Sequence, residues 1–377
     1  MSRIYFDHNA TSPLRPEARQ AFLQALEAGN ASSVHAEGRA ARALIESARV
    51  ALAATLGTKP DRVVFVSGAT EAANMALQPS KGQFLLIGAG EHACVFAGHG
   101  FAPDKVAQVA LDAQGRLALD DLREKLAGAG AQPVLALQAV NNETGVIQPV
   151  AEAADLVHAA GGMLVCDAVQ AYGRIDSAFN ATGADLVFLS SHKLGGPKGA
   201  GALVAVRRDL LPRALVRGGG QERGFRGGTE NVAAIAGFAA AAAQAELSRV
   251  AESGRLAALR EILQAGLLEI APEAAIFSGE AARVGNTLAF ALPGLSAETM
   301  VAAFDVEGVA LSSGSACSSG KVTPSHVLAA MGVPPDQARS ALRLSLGWTS
   351  RKEEVVRFLE IMAKVHERMR RRLANPA

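Results

Sequence analysis

The stretch Leu186-Val187-Phe188-Leu189-Ser190-Ser191-His192-Lys193-Leu194-Gly195-Gly196-Pro197 sets an amine at the end of an apolar run. Leu186 to Leu189 reads as a short buried strand. Lys193 follows two serines and a histidine. A Gly-Gly-Pro break closes the turn before a second apolar run, Ala202 to Val206. An amine placed this way can lose its proton and attack a carbonyl, because partial burial lowers a lysine pKa. Alone, the stretch reads equally well as a lysine snorkelling out of a strand end.

Other reactive side chains fall in similar places. Arg62 to Val66 reads as a strand that ends in Ser67-Gly68-Ala69-Thr70-Glu71, with helical pattern beyond. A strand, a small-residue turn and a helix N-terminus can hold a phosphate on free backbone N–H groups. The same residues also describe an ordinary helix start capped by Thr70. Phe84 to Ile87 precedes His92, Val134 to Val140 precedes Asn142, and Met163 to Cys166 precedes Asp167 and Gln170. Ligands of open parallel sheets bind outside the carboxyl ends of the strands. Thr70, His92, Asn142, Asp167, Gln170, His192 and Lys193 all lie just past predicted strand ends, and that convergence carries more than any one residue.

An aspartate and a later lysine, each at a strand end, suit pyridoxal phosphate. The lysine would hold the cofactor as a Schiff base, and the aspartate would pair with the pyridine nitrogen and make the ring an electron sink. Ala69 and Thr70 offer the helix N-terminus for the phosphate. His92 is placed to stack on the ring and to shuttle protons. Cys317 stands apart from Cys94 and Cys166. The latter two sit beside apolar residues and read as core. Cys317 lies in Ser312-Ser313-Gly314-Ser315-Ala316-Cys317-Ser318-Ser319-Gly320-Lys321, a polar loop in which a thiol is poised to react.

The elements that must position these residues alternate strand and helix, which predicts a mostly parallel sheet covered on both faces. Before it come a short strand, Ile4 to Phe6, a helix opened by Pro16, and an amphipathic helix from Gly38 to Leu56. Helix Val150 to Ala160 joins two of the sheet strands. Arg217 to Thr229 is a long, flexible, basic loop, readable as a phosphate contact or as a solvated linker. An Ala-rich helix, Val232 to Ile270, bridges two lobes. Strands Thr287 to Ala291, Val309 to Leu311 and Leu342 to Leu346 follow, with helices Ala297 to Phe304, His326 to Met331 and Arg351 to Arg372. The fold class is α/β, with a large domain at residues 15–255 and a smaller α+β domain from residues 1–14 and 256–377.

The chain of 377 residues is 49% hydrophobic and 19% charged, so it buries a sizeable core. With 37 basic and 36 acidic residues, no strong field favours nucleic acid or an anionic membrane surface. The N-terminal residues lack a signal-peptide core, and no transmembrane run is predicted. Three widely spaced cysteines give neither a disulfide framework nor metal-ligand spacing, so no metal is expected and a reducing cytoplasm fits. Gly88-Ala89-Gly90-Glu91-His92-Ala93 imitates a dinucleotide fingerprint. Gly98, Gly100 and Pro103 leave no room for the long helix that a dinucleotide unit needs.

Taken in order, Asp7-His8-Asn9-Ala10-Thr11, Ser67-Gly68-Ala69-Thr70-Glu71, Glu91-His92, Asn141-Asn142-Glu143-Thr144-Gly145, Asp167-Ala168-Val169-Gln170, Ser191-His192-Lys193, Arg226-Gly227-Gly228-Thr229 and Ser312 to Cys317 carry a resemblance. The set resembles the cysteine desulfurases of the NifS/IscS-like branch, within the class V aminotransferase family. The resemblance covers nearly the whole chain and implies the fold type I of pyridoxal-phosphate transferases. It implies that Lys193 binds pyridoxal 5′-phosphate, that Asp167 pairs with its ring nitrogen, and that Gln170 bonds its phenolic oxygen. Ala69, Thr70, Ser190 and His192 would hold the phosphate. Thr229 would reach the phosphate of a neighbouring subunit, which implies a homodimer with shared active sites. Arg343 would grip the substrate carboxylate, with Asn142 and Asn9 near the substrate. Cys317 would take the sulfur of L-cysteine, and its sequence context resembles the long-loop branch. A sulfur-acceptor or iron–sulfur scaffold protein is the implied partner, with no direct contact to nucleic acid or membrane.

Three features depart from the pattern. Gly227-Gly228 replaces a more usual Ser-Gly or Thr-Gly pair, Trp348 stands where a basic residue is common, and the longer C-terminal tail of some members is not expected. Rival readings are a selenocysteine lyase or a class V aminotransferase, a catalytically idle scaffold that keeps the fold, and the dehydrogenase that the Gly88 turn imitates.

Overall fold

A computed structural model describes residues 3–128, 132–176, 182–314 and 325–374. The N-terminal segment contributes β1 (Ile4–Tyr5), then α1 (Pro16–Gln24) and α2 (Ala36–Thr55). Pro16 opens α1 because a missing N–H costs nothing at the first helical position. The large sheet follows: β2 (Val63–Val66), β3 (Phe84–Gly88), β4 (Val106–Val109), β5 (Pro133–Gln138), β6 (Met163–Asp167), β7 (Leu186–Ser190) and β8 (Gly201–Ala205). Its order is β2-β8-β7-β6-β5-β3-β4. β8 runs antiparallel to both of its neighbours, β2 and β7, and the other pairings among the described strands are parallel. The strand-connecting helices are α3 (Ala69–Ala76), α4 (Ala93–Phe96), α5 (Leu119–Gly128) and α6 (Val150–Ala159).

Successive strand residues point to opposite faces, so one strand feeds two cores. Leu135, Leu137, Leu164, Cys166, Val187 and Leu189 pack on one face with residues of α2, α6 and α7 (Val232–Ile270). Val134, Ala136, Val165, Leu186 and Phe188 pack on the other with α3 and α4. With both faces covered, the central strands are apolar throughout rather than alternating.

The 39-residue helix α7 serves two cores. Its first half packs on α1 and α2, and Leu256, Leu259, Leu263 and Leu267 enter a second core. That core is built on β10 (Thr287–Ala291), α8 (Ala297–Val306), β11 (Val309–Ala310), β13 (Ala341–Ser345) and α11 (Lys352–Ala374), in a sheet that β9 (Ala275–Ile276) and β12 (Ser312–Ser313) extend; α9 (His326–Ala330) and α10 (Pro335–Arg339) pack on the other face of that sheet, where Val327, Leu328 and Ala338 meet Ala289, Ala291 and Ala341. Its strands run in the order β12-β13-β10-β9. Phe304 stacks on Phe358, and Phe6 meets the same ring edge-on. Burial of each such ring contributes about 1.5–3 kcal/mol. β1 pairs in parallel with β11, so the N-terminal segment is bound to the second core. That pairing carries the next residues, Asp7 to Thr11, toward the large sheet.

Two expectations need correction. Ser312 and Ser313 are not loop: they pair with Arg343 and Leu342, and the Ser312 hydroxyl donates to Asp7 Oδ1. The stretch Arg217 to Thr229 is not a free linker either, because Glu222 is buried against Arg49. Among the described residues no helix is long and apolar enough to cross a membrane.

Candidate active site

The polar residues at the ends of β2, β3, β5, β6 and β7 meet in a cavity of about 510 Å³. β7 runs straight into a tight turn, Ser191 to Lys193. Gly195 sits at φ +83°, and a Cβ there would lie 2.8 Å from the Pro13 carbonyl oxygen. At Gly196 a Cβ would lie 2.2 Å from Ser191 Oγ. Only glycines let the chain turn this sharply, and the turn aims Lys193 inward. Its Nζ donates to the carbonyl oxygens of Asn9 at 2.6 Å and Ala10 at 2.8 Å. The amine therefore lies against the N-terminal segment and does not snorkel to solvent.

Asp167 is the last residue of β6 and is buried. Burial raises its carboxyl to about 6, although the Val169 N–H at 2.8 Å and the charge of Lys193 both favour the ionised form. Across the cavity His92 caps α4, where its Nδ1 accepts from the Cys94 N–H at 3.1 Å. A neutral His92 must then carry its proton on Nε2. Burial first, then the charges of Lys193 and His326, hold its pKa below the ordinary value. His192 is lowered to about 4, by burial and then by Lys193 and Lys198. Its Nδ1 lies 3.2 Å from Thr11 Oγ1.

One end of the cavity is suited to an anion. Gly68 is the N-cap of α3 and has no side chain to cap it, so Thr70 is an early helical residue and not the cap. The first amides of α3 thus remain available, and the helix dipole favours negative charge there. Ser67, Ala69 and Thr70 line this end together with Ser190 and His192. Glu71 accepts from the Ser67 N–H and pairs with Arg226 at 2.8 Å, which fastens the loop before α7 beside the turn. Burial alone would raise the Glu71 carboxyl, but the Arg226 and Ser67 bonds bring it below its usual range.

The opposite end is suited to a carboxylate. Arg343 in β13 is buried; it donates from Nη2 to Asp7 Oδ1 at 2.8 Å and from Nη1 to the Asn142 carbonyl at 3.0 Å. Its Nε is buried with no hydrogen-bond partner among the described residues. Asn9 ties this end together. Its Nδ2 donates to the Asn142 carbonyl and Thr287 Oγ1, its carbonyl accepts from Gln170 and Lys193, and its Oδ1 accepts from Arg174 and Asn286.

Of the sequence-predicted site residues, Asn9, Ala69, Thr70, His92, Asn142, Asp167, Gln170, Ser190, His192, Lys193 and Arg343 share the cavity. Thr229 does not. It is exposed and lines a separate hollow of about 230 Å³ with Ser67, Glu222 and Arg226. Cys317 lies outside the described residues. Sequence reasoning missed Gln138, Lys198 and Arg174. Gln138 closes an apolar strand, and that pattern could have flagged it. Arg174 follows Gln170 by four residues and donates to its Oε1. Cys94, read as core, packs in the core and also lines the cavity. Burial first, then Asp167 and Glu91, push its thiol far above the usual range, so it is inert.

Comparison with known proteins fits this arrangement. Residues 4–358 match the family described as Aminotransferase class-V. A cysteine desulfurase from Cereibacter sphaeroides is 38% identical over 383 residues, covering 98% of this chain and 97% of the relative. The chain belongs to the NifS/IscS-like cysteine desulfurase branch of the class V aminotransferases. A NifS-like protein from Rickettsia africae superposes on this desulfurase-family chain with a TM-score of 0.90 at 31% identity, over 97% of this chain and 99% of that one. A structure described as SspA in complex with cysteine superposes with a TM-score of 0.77 at 29% identity, over 91% and 98%. The α/β architecture of this family member is accordingly the fold type I of pyridoxal-phosphate enzymes. Trp348, a departure from the branch pattern, has a structural role in this chain: its Nε1 donates to the Pro13 carbonyl, and Arg15 lies over its ring at 5.6 Å.

Proposed function

We propose that this chain is a pyridoxal-phosphate-dependent cysteine desulfurase that converts L-cysteine to L-alanine and transfers the sulfur to Cys317. The observation that carries the reading is the single cavity into which Lys193, Asp167, His92, an uncapped helix N-terminus and Arg343 all converge. This donor set fits pyridoxal 5′-phosphate. Lys193 supplies an amine for its carbonyl, Asp167 a carboxylate for its ring nitrogen and Gln170 an amide for its phenolic oxygen. The first turn of α3, Ser190 and His192 supply donors for its phosphate. When bound, the cofactor supplies an electron sink that acidifies the substrate Cα and loosens the bond from Cβ to sulfur.

The protein's own groups do the rest. Arg343 binds the substrate carboxylate through its unpartnered Nε–H, and Asn142 and Asn9 hold that guanidinium and the substrate in register. Lys193 moves the proton at the substrate Cα. His92 exchanges protons through Nε2, the nitrogen that its cap bond leaves protonated. The Cys317 thiolate attacks the substrate sulfur as the carbon–sulfur bond breaks. The sum is L-cysteine plus a Cys317 thiol giving L-alanine plus a Cys317 persulfide, balanced in atoms and electrons.

The same reading proposes a homodimer. The exposed Thr229, outside its own cavity, suits a contact with a neighbouring subunit's phosphate. It also divides the chain into a large cofactor-binding domain at residues 15–255 and a small domain from residues 1–14 and 256–377. The persulfide would pass to a sulfur-acceptor or iron–sulfur scaffold protein, and a thiol carrier of this kind works in a reducing cytoplasm.

The test is an absorbance spectrum of the purified protein with pyridoxal phosphate, before and after L-cysteine. A visible band that borohydride removes, that cysteine perturbs and that Lys193→Ala lacks supports the reading, with alanine as product. A colourless protein overturns the cofactor assignment. A keto acid in place of alanine turns the reaction into transamination.

A further inference from the structure

We propose that His326 is a positioning residue for His92: it clamps both ends of α4, the one-turn helix that His92 caps. The inference rests on the proposed desulfurase reading only for its catalytic consequence.

α4 is four residues long, Ala93–Phe96, and a single turn has little stability of its own. The turn before it is well held. The Glu91 N–H donates to the Gly88 carbonyl, and the Gly90 carbonyl accepts from Asn141 and Gln138. These contacts come from the large sheet and from the turn after β5, and among the described residues they stop short of the peptide between Glu91 and His92. His326 supplies the missing contact from α9, more than 230 residues away in sequence. Its Nε2 lies 2.8 Å from the Glu91 carbonyl oxygen, which belongs to that peptide. Its ring meets Phe96, the last residue of α4, edge to face at 5.6 Å and 88°. One side chain thus touches the peptide before the cap and the residue that ends the helix.

His326 is itself fixed. It opens α9, whose cap Ser325 accepts from the Leu328 N–H and donates to Glu143. Glu143 stands in the turn that carries Asn142. The consequence for His92 follows from its cap bond. While α4 is held, Nδ1 accepts from the Cys94 N–H and the proton stays on Nε2. If α4 loosens, that bond is lost part of the time and the Nδ1–H tautomer appears. His92 then presents the wrong nitrogen for a fraction of the molecules.

Two variants separate donor from ring. His326→Phe keeps an aromatic ring against Phe96 and removes the N–H. His326→Gln keeps an N–H near the same place. The first readout needs neither cofactor nor activity: nitrogen-15 spectra of histidine-labelled apoprotein, with His92 assigned by His92→Gln. The wild type and His326→Gln should show one His92 tautomer, protonated on Nε2, and His326→Phe a mixture. The second readout is turnover of L-cysteine. Positioned acid–base groups contribute about 10²–10⁴-fold. We expect His326→Phe to lose roughly tenfold in kcat with KM unchanged, and His326→Gln to recover most of it. A single tautomer in His326→Phe, or no recovery in His326→Gln, overturns the proposal. Should His326→Phe fail to fold, Phe96→Leu removes only the ring contact. It should give a weaker mixture, and a single tautomer there overturns the proposal as well. If the wild type forms no alanine, the desulfurase reading fails while the tautomer measurement still decides the role of His326.

Discussion

Glu222→Ala tests how the loop before α7 is held. Glu222 and Arg49 are each 2% exposed and form a bidentate pair, with Nη1 to Oε2 at 2.7 Å and Nη2 to Oε1 at 2.8 Å. Oε2 also accepts from the Phe65 N–H at 2.8 Å, so the loop is bolted to β2 directly beneath the phosphate-type turn. Removing the carboxylate leaves a buried guanidinium with the Val63 carbonyl, Glu46 and the face of Phe65. Breaking a buried pair from one side costs about 3–5 kcal/mol. An orphaned backbone N–H adds about 1–3 kcal/mol. Glu46 is half-buried and recovers part of this, so a net loss of about 3–5 kcal/mol is expected. Native domains hold only about 5–15 kcal/mol. Urea unfolding of the apoprotein would show a large fall in midpoint with an unchanged slope. The double variant Arg49→Met with Glu222→Leu should lose less than Glu222→Ala, because it leaves no unpaired charge. A loss under about 1 kcal/mol for Glu222→Ala, or a double variant as unstable as the two single losses combined, would refute the reasoning.

Other outcomes follow from the same structure. Burial raises Glu143 to about 7, outweighing the bond from Ser325 and the charge of Arg343. The folded state therefore binds a proton that the unfolded state releases near 4.5, and apoprotein stability should fall as pH rises from about 4.5 to 7, by about 3 kcal/mol for this group. Glu143→Gln should flatten that slope in pH-dependent unfolding, and an unchanged slope would assign it elsewhere. Gly195→Ala should displace Lys193, since its Cβ would meet the Pro13 carbonyl at a left-handed φ. Loss of covalent cofactor capture with folding retained is the expected result, read by borohydride reduction and mass spectrometry. Asp167→Asn should keep the cavity yet lower turnover at least about a hundredfold, because a neutral amide cannot hold a proton on the ring nitrogen.

Much of the cavity was legible because it follows one rule: a polar residue within a few positions after an apolar run marks the mouth of a parallel sheet. His92, Asn142, Asp167 and Lys193 all satisfy it. Asn9 was reached only through resemblance, since its place as a hub depends on β1 pairing with β11 across the second core. Arg174 left no sequence signal because its partners, Asn9 and Gln170, are adjacent to it only in the folded chain or by a helical offset. Glu222 falls in a stretch readable as a phosphate contact or a solvated linker, and no sequence spacing links it to Arg49; only tertiary packing joins them. Strand β4 and helix α5 went unassigned because Val106–Val109 is a half-exposed edge strand without a clear apolar run. Ser312–Ser313 pairs against composition, since two serines carry no strand propensity and their order comes from β13 and Asp7.

The most direct test of the central claim is a single-turnover reaction of the cofactor-loaded protein with L-cysteine, followed by quantification of alanine and mass analysis of the peptide containing Cys317. The account predicts one alanine for each active site and one added sulfur on Cys317, both abolished in Cys317→Ala. Alanine formed at the wild-type rate by Cys317→Ala, or a product other than alanine, would contradict it.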